Sequence, residues 1–274
     1  MKSQRRQAAL PSLFSARRKL FIGVVHLLPL PGSPRWGEGI KGLLERAVAD
    51  ARAYEHGGAD AVIVENFGDA PFTKGAVPPE TVAAMAAAGA AVRAAVELPV
   101  GFNVLRNDAR AALGLCAACG GSFIRVNVHC GAMLTDQGVI EGRAFDTLRR
   151  RRELCLGVAL LADVHVKHAV PLAPMPIETA ARDTLERGLA DGLILSGSGT
   201  GQATDLEDVR RVRAVCPRAR LFVGSGVTAG NAAEYLRLVD GVIVGSSLKV
   251  RGRVANRVDG GRVAALARVI ARAR

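Results

Sequence analysis

Three ionisable side chains at alternate positions are the residues of this sequence most able to do chemistry. Asp163, His165 and Lys167 alternate with Val164 and Val166. Alternate residues of a β-strand point to the same face, so the pattern predicts three charged groups on one face of a buried strand. Burying charge without a use is costly. A salt-bridged cluster that only satisfies itself is the structural alternative to a reactive site.

Other short apolar segments end in polar residues that the same alternation places on an inner face. These residues are His26, Glu65, Asn103, Arg125 and Asn127. We expect them to converge with the three charged groups on one polar floor. The candidate catalytic residues are Glu65, Asn103, Asn127, Asp163, His165 and Lys167.

Three kinds of chemistry fit this floor. Lys167 can form a Schiff base with a carbonyl if neighbouring cations lower the pKa of its amine. Alternatively, Glu65 or Asp163 acts as a general base beside a carbonyl that His165 or Lys167 polarises. Glu65, Asp163 and His165 could instead hold a divalent metal, since carboxylate and imidazole ligands suit several such ions. The sequence leaves all three open.

Three loops rich in glycine predict a phosphate site. Two apolar segments end in Gly224-Ser225-Gly226 and Gly245-Ser246-Ser247, and both lead into predicted helices. Backbone amides at such turns hold phosphates. A third loop, residues 196–201, alternates glycine with hydroxyl side chains. The candidate phosphate ligands are Ser196, Gly197, Gly199, Thr200, Gly224, Ser225, Gly226, Gly245 and Ser246. Lys249 either reaches the phosphate or faces water.

Eight strand-like segments carry these residues. They are residues 20–26, 61–66, 100–105, 123–128, 156–166 and 192–195, and the apolar beginnings, about four residues each, of segments 221–227 and 241–249. Most are separated by stretches rich in Ala, Leu and Arg, and strands that alternate with helices favour a parallel sheet. We predict one α/β domain, a (β/α)8 barrel over residues 20–274, in which phosphate binds beyond strands seven and eight. A doubly wound open sheet is the competing fold. Residues 1–19 are predicted to be a basic, loosely packed arm.

Composition narrows the class of partner. The net charge is +12, but the chain is only 4% aromatic and has no recognisable nucleic-acid module, so nucleic-acid binding is not expected. Its basic surface could instead attract anionic ligands or lipid headgroups. The odd number of cysteines, five, predicts no disulfide framework, and no apolar run reaches membrane-spanning length. We therefore expect a cytoplasmic protein, with peripheral membrane contact and homo-oligomerisation left open.

Four ordered motifs resemble those of the BtpA/SgcQ family. They are residues 23–34 (GVVHLLPLPGSP), 65–72 (ENFGDAPF), 101–108 (GFNVLRND) and 163–168 (DVHVKH). The resemblance extends from about Lys19 to the C-terminus and includes Glu65, Asn103 and Asp163. It implies a (β/α)8 fold similar to the ribulose-phosphate-binding barrels. It also implies the role of a photosystem I biogenesis factor extrinsic to the thylakoid membrane, whereas other members look like sugar-metabolism proteins.

Two classes of function follow from these observations. The first is an enzyme that acts on a small phosphorylated sugar or nucleotide-like metabolite, as a lyase, isomerase or transferase. The second is a non-catalytic assembly factor that binds a partner or a membrane surface through its basic face. The polar floor favours the enzyme, because a scaffold has no need of so many converging polar side chains.

Overall fold

The computed structural model describes residues 12–15, 18–37, 39–154 and 157–274. Eight parallel strands form a closed barrel in the order β1-β11-β10-β9-β7-β4-β3-β2. The barrel strands are β1 (Leu20–His26), β2 (Ala61–Glu65), β3 (Val100–Asn103), β4 (Phe123–Val126), β7 (Ala159–Val164), β9 (Gly192–Leu195), β10 (Leu221–Val223) and β11 (Gly241–Val244). The predicted (β/α)8 barrel is therefore confirmed, and the open sheet is excluded.

Helices pack on the outside of the barrel and across its lower end. They are α1 (Ser12–Ser15), α2 (Ile40–His56), α3 (Pro79–Ala95), α4 (Ala109–Cys119), α5 (Ala144–Leu154), α6 (Ile177–Arg182), α7 (Leu206–Val215), α8 (Ala232–Leu236) and α9 (Gly260–Arg272). Their boundaries follow local chemistry. Helix α4 begins where the Asp108 side chain accepts a hydrogen bond from the Ala111 amide at 2.9 Å, and it ends at Gly120 in a left-handed conformation.

Side-chain alternation divides the barrel interior into an apolar lower part and a polar upper part. Ile22, Ile63, Leu161, Ile194 and Phe222 lie in one buried cluster inside the barrel. On the C-terminal side of this cluster, the next inward residue of several strands is polar or glycine. The strand pattern thus positions a polar floor above an apolar core.

Helix α1 closes the lower end of the barrel. Leu13 and Phe14 are buried in the same interior cluster, and the ring of Phe14 lies 5.4 Å from the ring of Phe123. The barrel core therefore includes two residues that the sequence-based division had assigned to a loose arm. Residues 1–11, 16 and 17 of that arm lie outside the described residues.

A small antiparallel sheet, which we did not predict, covers part of the upper end. Its strands are β5 (Ala132–Thr135), β6 (Gly138–Glu141) and β8 (Ala169–Pro171), in the order β6-β5-β8. We call it the cap sheet. Met133 and Ile140 pack beneath it against Val128 and Val166, which follow barrel strands β4 and β7. The predicted strand over residues 156–166 is observed only from Ala159 to Val164. Among the described residues, no helix combines the length and apolarity needed to cross a membrane.

Candidate active site at the C-terminal end of the barrel

A bidentate ion pair forms the centre of the polar floor. Arg125 donates from Nε to Asp163 Oδ2 at 2.9 Å and from Nη2 to Oδ1 at 2.8 Å. Asn127 Nδ2 and Ser196 Oγ also donate to this carboxylate, at 2.9 and 3.1 Å. Burial opposes the charge on Arg125, but the Asp163 carboxylate raises the pKa of the guanidinium. Both oxygens of Asp163 are therefore engaged in hydrogen bonds within the floor.

Glu65 is the less constrained carboxylate of the floor. It lies at the end of β2 and is buried, and Asn103 Nδ2 donates to its Oε2 at 3.2 Å. Its other oxygen lies 4.0 Å from His26 Nε2. Burial and the nearby cations Lys249 and Lys167 hold the pKa of His26 well below its usual value, so that ring is neutral. Glu65 can therefore exchange a proton with a ligand in the adjoining cavity.

Lys167 presents its amine to the same cavity. Burial lowers the pKa of Lys167, and the charge of Arg125 lowers it further, while Glu65 acts in the opposite direction. Among the described residues, no carboxylate lies within 4.0 Å of its Nζ. An amine whose pKa is lowered, and which is not held in an ion pair, can act as a nucleophile or a base.

The last two barrel loops enclose a cavity of about 160 Å³ above this floor, which we call the loop pocket. Its lining includes Glu65, Arg125, Lys167, Thr200, Gly224, Ser225, Gly226, Gly245, Ser246 and Ser247. In the described part of the chain, the amides of Gly226, Ser246 and Ser247 donate to no protein acceptor. Amides without an acceptor, in loops that line a small cavity with two cations, suit an anion.

Two glycines of the loop pocket are required by close packing. Gly226 has φ of +68°, and a Cβ at this position would lie 2.3 Å from Ala203 Cα. A Cβ at Gly245 would lie 2.5 Å from His26 Cε1. Side chains at these positions would therefore displace a neighbouring loop or the His26 ring.

The loop after β9, residues 196–201, was predicted to hold phosphate, but only part of it lines the loop pocket. Thr200 lines the loop pocket, but Ser196 joins the floor through Asp163. Gly197 and Gly199 pack against their own loop, where added Cβ atoms would lie 2.5 Å from the Gln202 carbonyl oxygen and 3.2 Å from Gln202 Cδ. The Ser225 hydroxyl donates to the Gly199 carbonyl at 3.0 Å, so it joins two loops.

His165 does not share the inner face that alternation predicted. Strand β7 ends at Val164, and His165 has φ of +51°, which breaks the alternation. It lines a different cavity of about 300 Å³, which Asp163, Cys130 and Met175 also line. Burial lowers the pKa of His165, and its Nε2 is buried without a partner.

The predicted metal set is not brought together. Glu65 lines the loop pocket, whereas His165 lines another cavity together with Asp163, and the Asp163 oxygens already accept from Arg125. Within the described ranges, no group of three or more His, Cys, Asp or Glu residues is placed to hold a metal ion. The donor set does not fit the metal alternative.

Lys249 neither reaches the loop pocket nor faces water, so both sequence-based alternatives were wrong. Its side chain is fully buried, and Nζ lies 2.7 Å from Asp50 Oδ2. Asp50 also accepts from the Val258 amide at 2.8 Å and from Arg46 Nε at 3.2 Å. The ion pair fastens the turn Ser246–Leu248, which Lys249 directly follows, to helix α2.

Two residues near the floor were not among the predicted site residues. Arg106 is buried, and its Nη2 donates to the Lys167 carbonyl at 2.6 Å. His168 Nε2 accepts from the Thr200 amide at 3.1 Å and lies 2.9 Å from its hydroxyl. Their positions in the sequence could have indicated both residues, because Arg106 directly follows a predicted strand and His168 directly follows Lys167.

Comparison with known proteins shows the family of this chain. A model of the BtpA family matches residues 17–272. The chain is 50% identical over 250 residues to the photosystem I biogenesis protein BtpA of Synechocystis sp., covering 91% of this chain and 87% of that protein. It is 46% identical over 245 residues to an uncharacterized protein of Pyrococcus furiosus, covering 88% and 91%.

Solved structures with a similar fold are (β/α)8 enzymes. The phosphoribosyl anthranilate isomerase of Thermus thermophilus aligns with a TM-score of 0.56 and 14% identity, covering 93% of this chain and 100% of that one. The 3-hexulose-6-phosphate synthase of Salmonella typhimurium aligns with a TM-score of 0.58 and 16% identity, covering 93% and 100%. At these identities the likeness shows the fold.

Proposed function

The chain belongs to the BtpA family, and we propose that it is an enzyme acting on a small phosphorylated metabolite at the C-terminal end of the barrel. One observation carries the proposal. The two glycine loops after β10 and β11 line the same cavity as Glu65, Arg125 and Lys167. A ligand whose phosphate meets the loop amides therefore has its carbon skeleton beside a carboxylate and an amine.

The contacts of the floor divide the chemical roles. Asp163 is fully engaged by Arg125, Asn127 and Ser196, which leaves Glu65 as the group that moves a proton. Lys167 carries an amine of lowered pKa, so it can polarise a substrate carbonyl or condense with it. These roles suit a lyase or an isomerase of a phosphorylated sugar.

The comparisons are consistent with this class of substrate. The names of two similar barrels, a phosphoribosyl anthranilate isomerase and a 3-hexulose-6-phosphate synthase, describe enzymes of phosphorylated sugar compounds. Barrels of this fold commonly bind phosphate with the loops after their last two strands. The loop pocket of this chain occupies that place.

Ligand-dependent stabilisation tests the proposal. Ribose 5-phosphate, fructose 6-phosphate and glyceraldehyde 3-phosphate should raise the Tm, whereas ribose, fructose and glyceraldehyde should not. A ligand at 100 times its Kd should add about 2.7 kcal/mol to the free energy of unfolding. Phosphorus NMR should show that the protein converts a stabilising ligand. The Glu65→Gln variant should still bind that ligand but should no longer convert it. No shift with any phosphorylated compound would contradict the proposal.

A second candidate function is assembly rather than catalysis. The observation that favours it is the 50% identity to the photosystem I biogenesis protein BtpA. An assembly factor of this kind would contact a partner or an anionic membrane through its basic surface, since the chain carries a net charge of +12. Co-sedimentation with phosphatidylserine vesicles that salt reverses would support it. Cell fractionation would separate that location from the cytoplasmic one that we propose for the enzyme.

A further inference from the structure

A second chamber adjoins the loop pocket and opens from the same floor. Its volume is about 300 Å³, and it shares Glu65, Arg125, Lys167 and Thr200 with the loop pocket. The reactive side chains therefore lie between the two spaces. A ligand held at its phosphate by the loop pocket has room to extend past Lys167 into this second chamber.

The walls of the second chamber are largely apolar and aromatic. Phe67, Phe72 and Leu105 line it, and the two phenylalanine rings lie 6.4 Å apart at 62°. Both rings are only half-buried, so the core does not account for them. Aromatic residues make up 4% of the chain, and two of them lie at this opening.

The aromatic wall is held in place before any ligand binds. Asp69 accepts from the Leu30 amide at 2.7 Å and from Asn66 Nδ2 at 3.0 Å. Asn66 Oδ1 in turn accepts from the Leu105 amide at 2.7 Å. These buried bonds fix the segment that carries Phe67, so little order has to be gained on binding.

Polar groups surround this wall. Arg106, Asp136 and His168 also line the chamber, and Asp136 comes from the tip of the hairpin between β5 and β6. Planar heteroaromatic rings present apolar faces and polar edges, which match phenylalanine walls with a polar rim. An alkyl chain would leave charged groups facing hydrocarbon, which is unfavourable.

We propose that the substrate is a phosphorylated sugar that carries a planar aromatic or heteroaromatic ring. The ring lies against the wall that Phe67 and Phe72 form, the sugar lies beside Lys167 and Glu65, and the phosphate lies in the loop pocket. This inference rests on the proposed function, since it assigns the substrate class of the same site.

Calorimetric binding to matched probes tests this assignment. The probes are ribose 5-phosphate, which lacks a ring, and AMP, UMP and nicotinamide mononucleotide, which carry one. At least one ring-bearing probe should bind ten times more tightly than ribose 5-phosphate, as expected for one aromatic stacking contact. Phe72→Ala should remove about that tenfold advantage and leave ribose 5-phosphate within twofold. Phe72→Tyr should retain the advantage.

Phe145→Ala is the matched control, because Phe145 is 76% exposed on helix α5 and lines neither chamber. If Phe72→Ala does not fold by circular dichroism, Phe72→Leu replaces it, since leucine keeps the apolar volume without the ring. If ribose 5-phosphate binds and no ring-bearing probe binds more tightly, the ring assignment is wrong and the proposed function stands. If none of the four probes binds, the ring assignment is wrong, and the thermal shifts with fructose 6-phosphate and glyceraldehyde 3-phosphate decide the proposed function.

Discussion

Arg125 and Asp163 form two parallel hydrogen bonds, at 2.9 and 2.8 Å, between the neighbouring strands β4 and β7. Their side chains are 2% and 0% exposed. Arg125 Nη2 also donates to Ser196 Oγ at 3.4 Å, and this contact helps to fix the position of the guanidinium. One ion pair thus organises the floor and directs a cation toward the loop pocket.

Removing the charge of Asp163 should be strongly destabilising. Asp163→Asn keeps the shape of the side chain but leaves the buried Arg125 guanidinium without its counter-charge. We expect a loss of about 3 kcal/mol or more in the free energy of unfolding, measured by urea denaturation. The paired replacement of Arg125→Met with Asp163→Leu buries no charge and should recover much of that loss. A change below about 1 kcal/mol in Asp163→Asn would contradict the assigned role.

The variant Lys249→Met tests whether the Lys249 side chain stabilises the fold or contacts the phosphate. The variant leaves Asp50 with Arg46 and the Val258 amide only, so we expect a loss of about 3 kcal/mol in urea denaturation. Phosphate affinity of the folded variant should change less than threefold, because the Lys249 amine contacts Asp50 and does not line the loop pocket. Lys41→Met, at an 89% exposed side chain, is the control. A tenfold loss of affinity without destabilisation would indicate direct contact with the ligand.

Gly226→Ala should damage the loop pocket. The added Cβ lies 2.3 Å from Ala203 Cα at a backbone φ of +68°, so the loop has to move. We expect inorganic phosphate to bind at least ten times more weakly by calorimetry, together with about 1–3 kcal/mol of destabilisation. Gly230→Ala is the matched control, since the nearest atom to its Cβ lies 3.7 Å away. Equal effects of the two substitutions would show that the loop tolerates a side chain.

The inward residues of the barrel could be predicted because strand geometry dictates them. Glu65, Asn103 and Asp163 each follow an inward residue by two positions on a continuous strand. His165 could not be predicted in this way, because a left-handed backbone conformation begins one residue after β7 ends. Alternation therefore predicts side-chain direction only as far as the strand continues.

Contacts between distant segments account for the other differences. Strands β5 and β8 pair between Leu134 and Val170, and neither short segment has a strong strand pattern of its own. Lys249 finds its partner Asp50 in a helix 199 residues earlier, a contact that no local motif records. The sequence predicted that the loops after the barrel strands bind phosphate, but which loop residues join the floor and which line the loop pocket depends on such tertiary contacts.

Protonation of buried histidines should destabilise the protein below neutral pH. Burial lowers the pKa of His129 and holds that of His26 well below its usual value, so the folded protein takes up these protons at a lower pH than the unfolded chain does. The unfolded chain takes them up near pH 6.5 and therefore binds more protons in this range. The free energy of unfolding should fall as the pH decreases from 7 to 5, by up to about 1.4 kcal/mol per pH unit for each histidine.

His26→Asn isolates one of these contributions. In urea denaturation between pH 7 and 5, the free energy of unfolding should depend less steeply on pH than in the unsubstituted protein. The reason is that the variant lacks one histidine that the unfolded chain protonates more readily than the folded protein. His56→Asn, at an exposed histidine that ends helix α2, should leave the slope unchanged. Identical slopes in all three proteins would show that His26 is not held neutral by burial.

The Lys167 amine should react with a phosphorylated aldehyde at neutral pH. Its lowered pKa populates the neutral amine, which adds to the carbonyl carbon of glyceraldehyde 3-phosphate and loses water to form an imine. Borohydride then delivers hydride to that carbon and leaves a stable secondary amine, which peptide mass spectrometry locates. Labelling at Lys167 should exceed that at the exposed Lys41, and inorganic phosphate should suppress it by competing for the loop pocket. If Lys41 is labelled and Lys167 is not, Lys167 does not form an imine with the substrate. In that case Lys167 only polarises the substrate carbonyl, and Glu65 remains as the group that moves a proton.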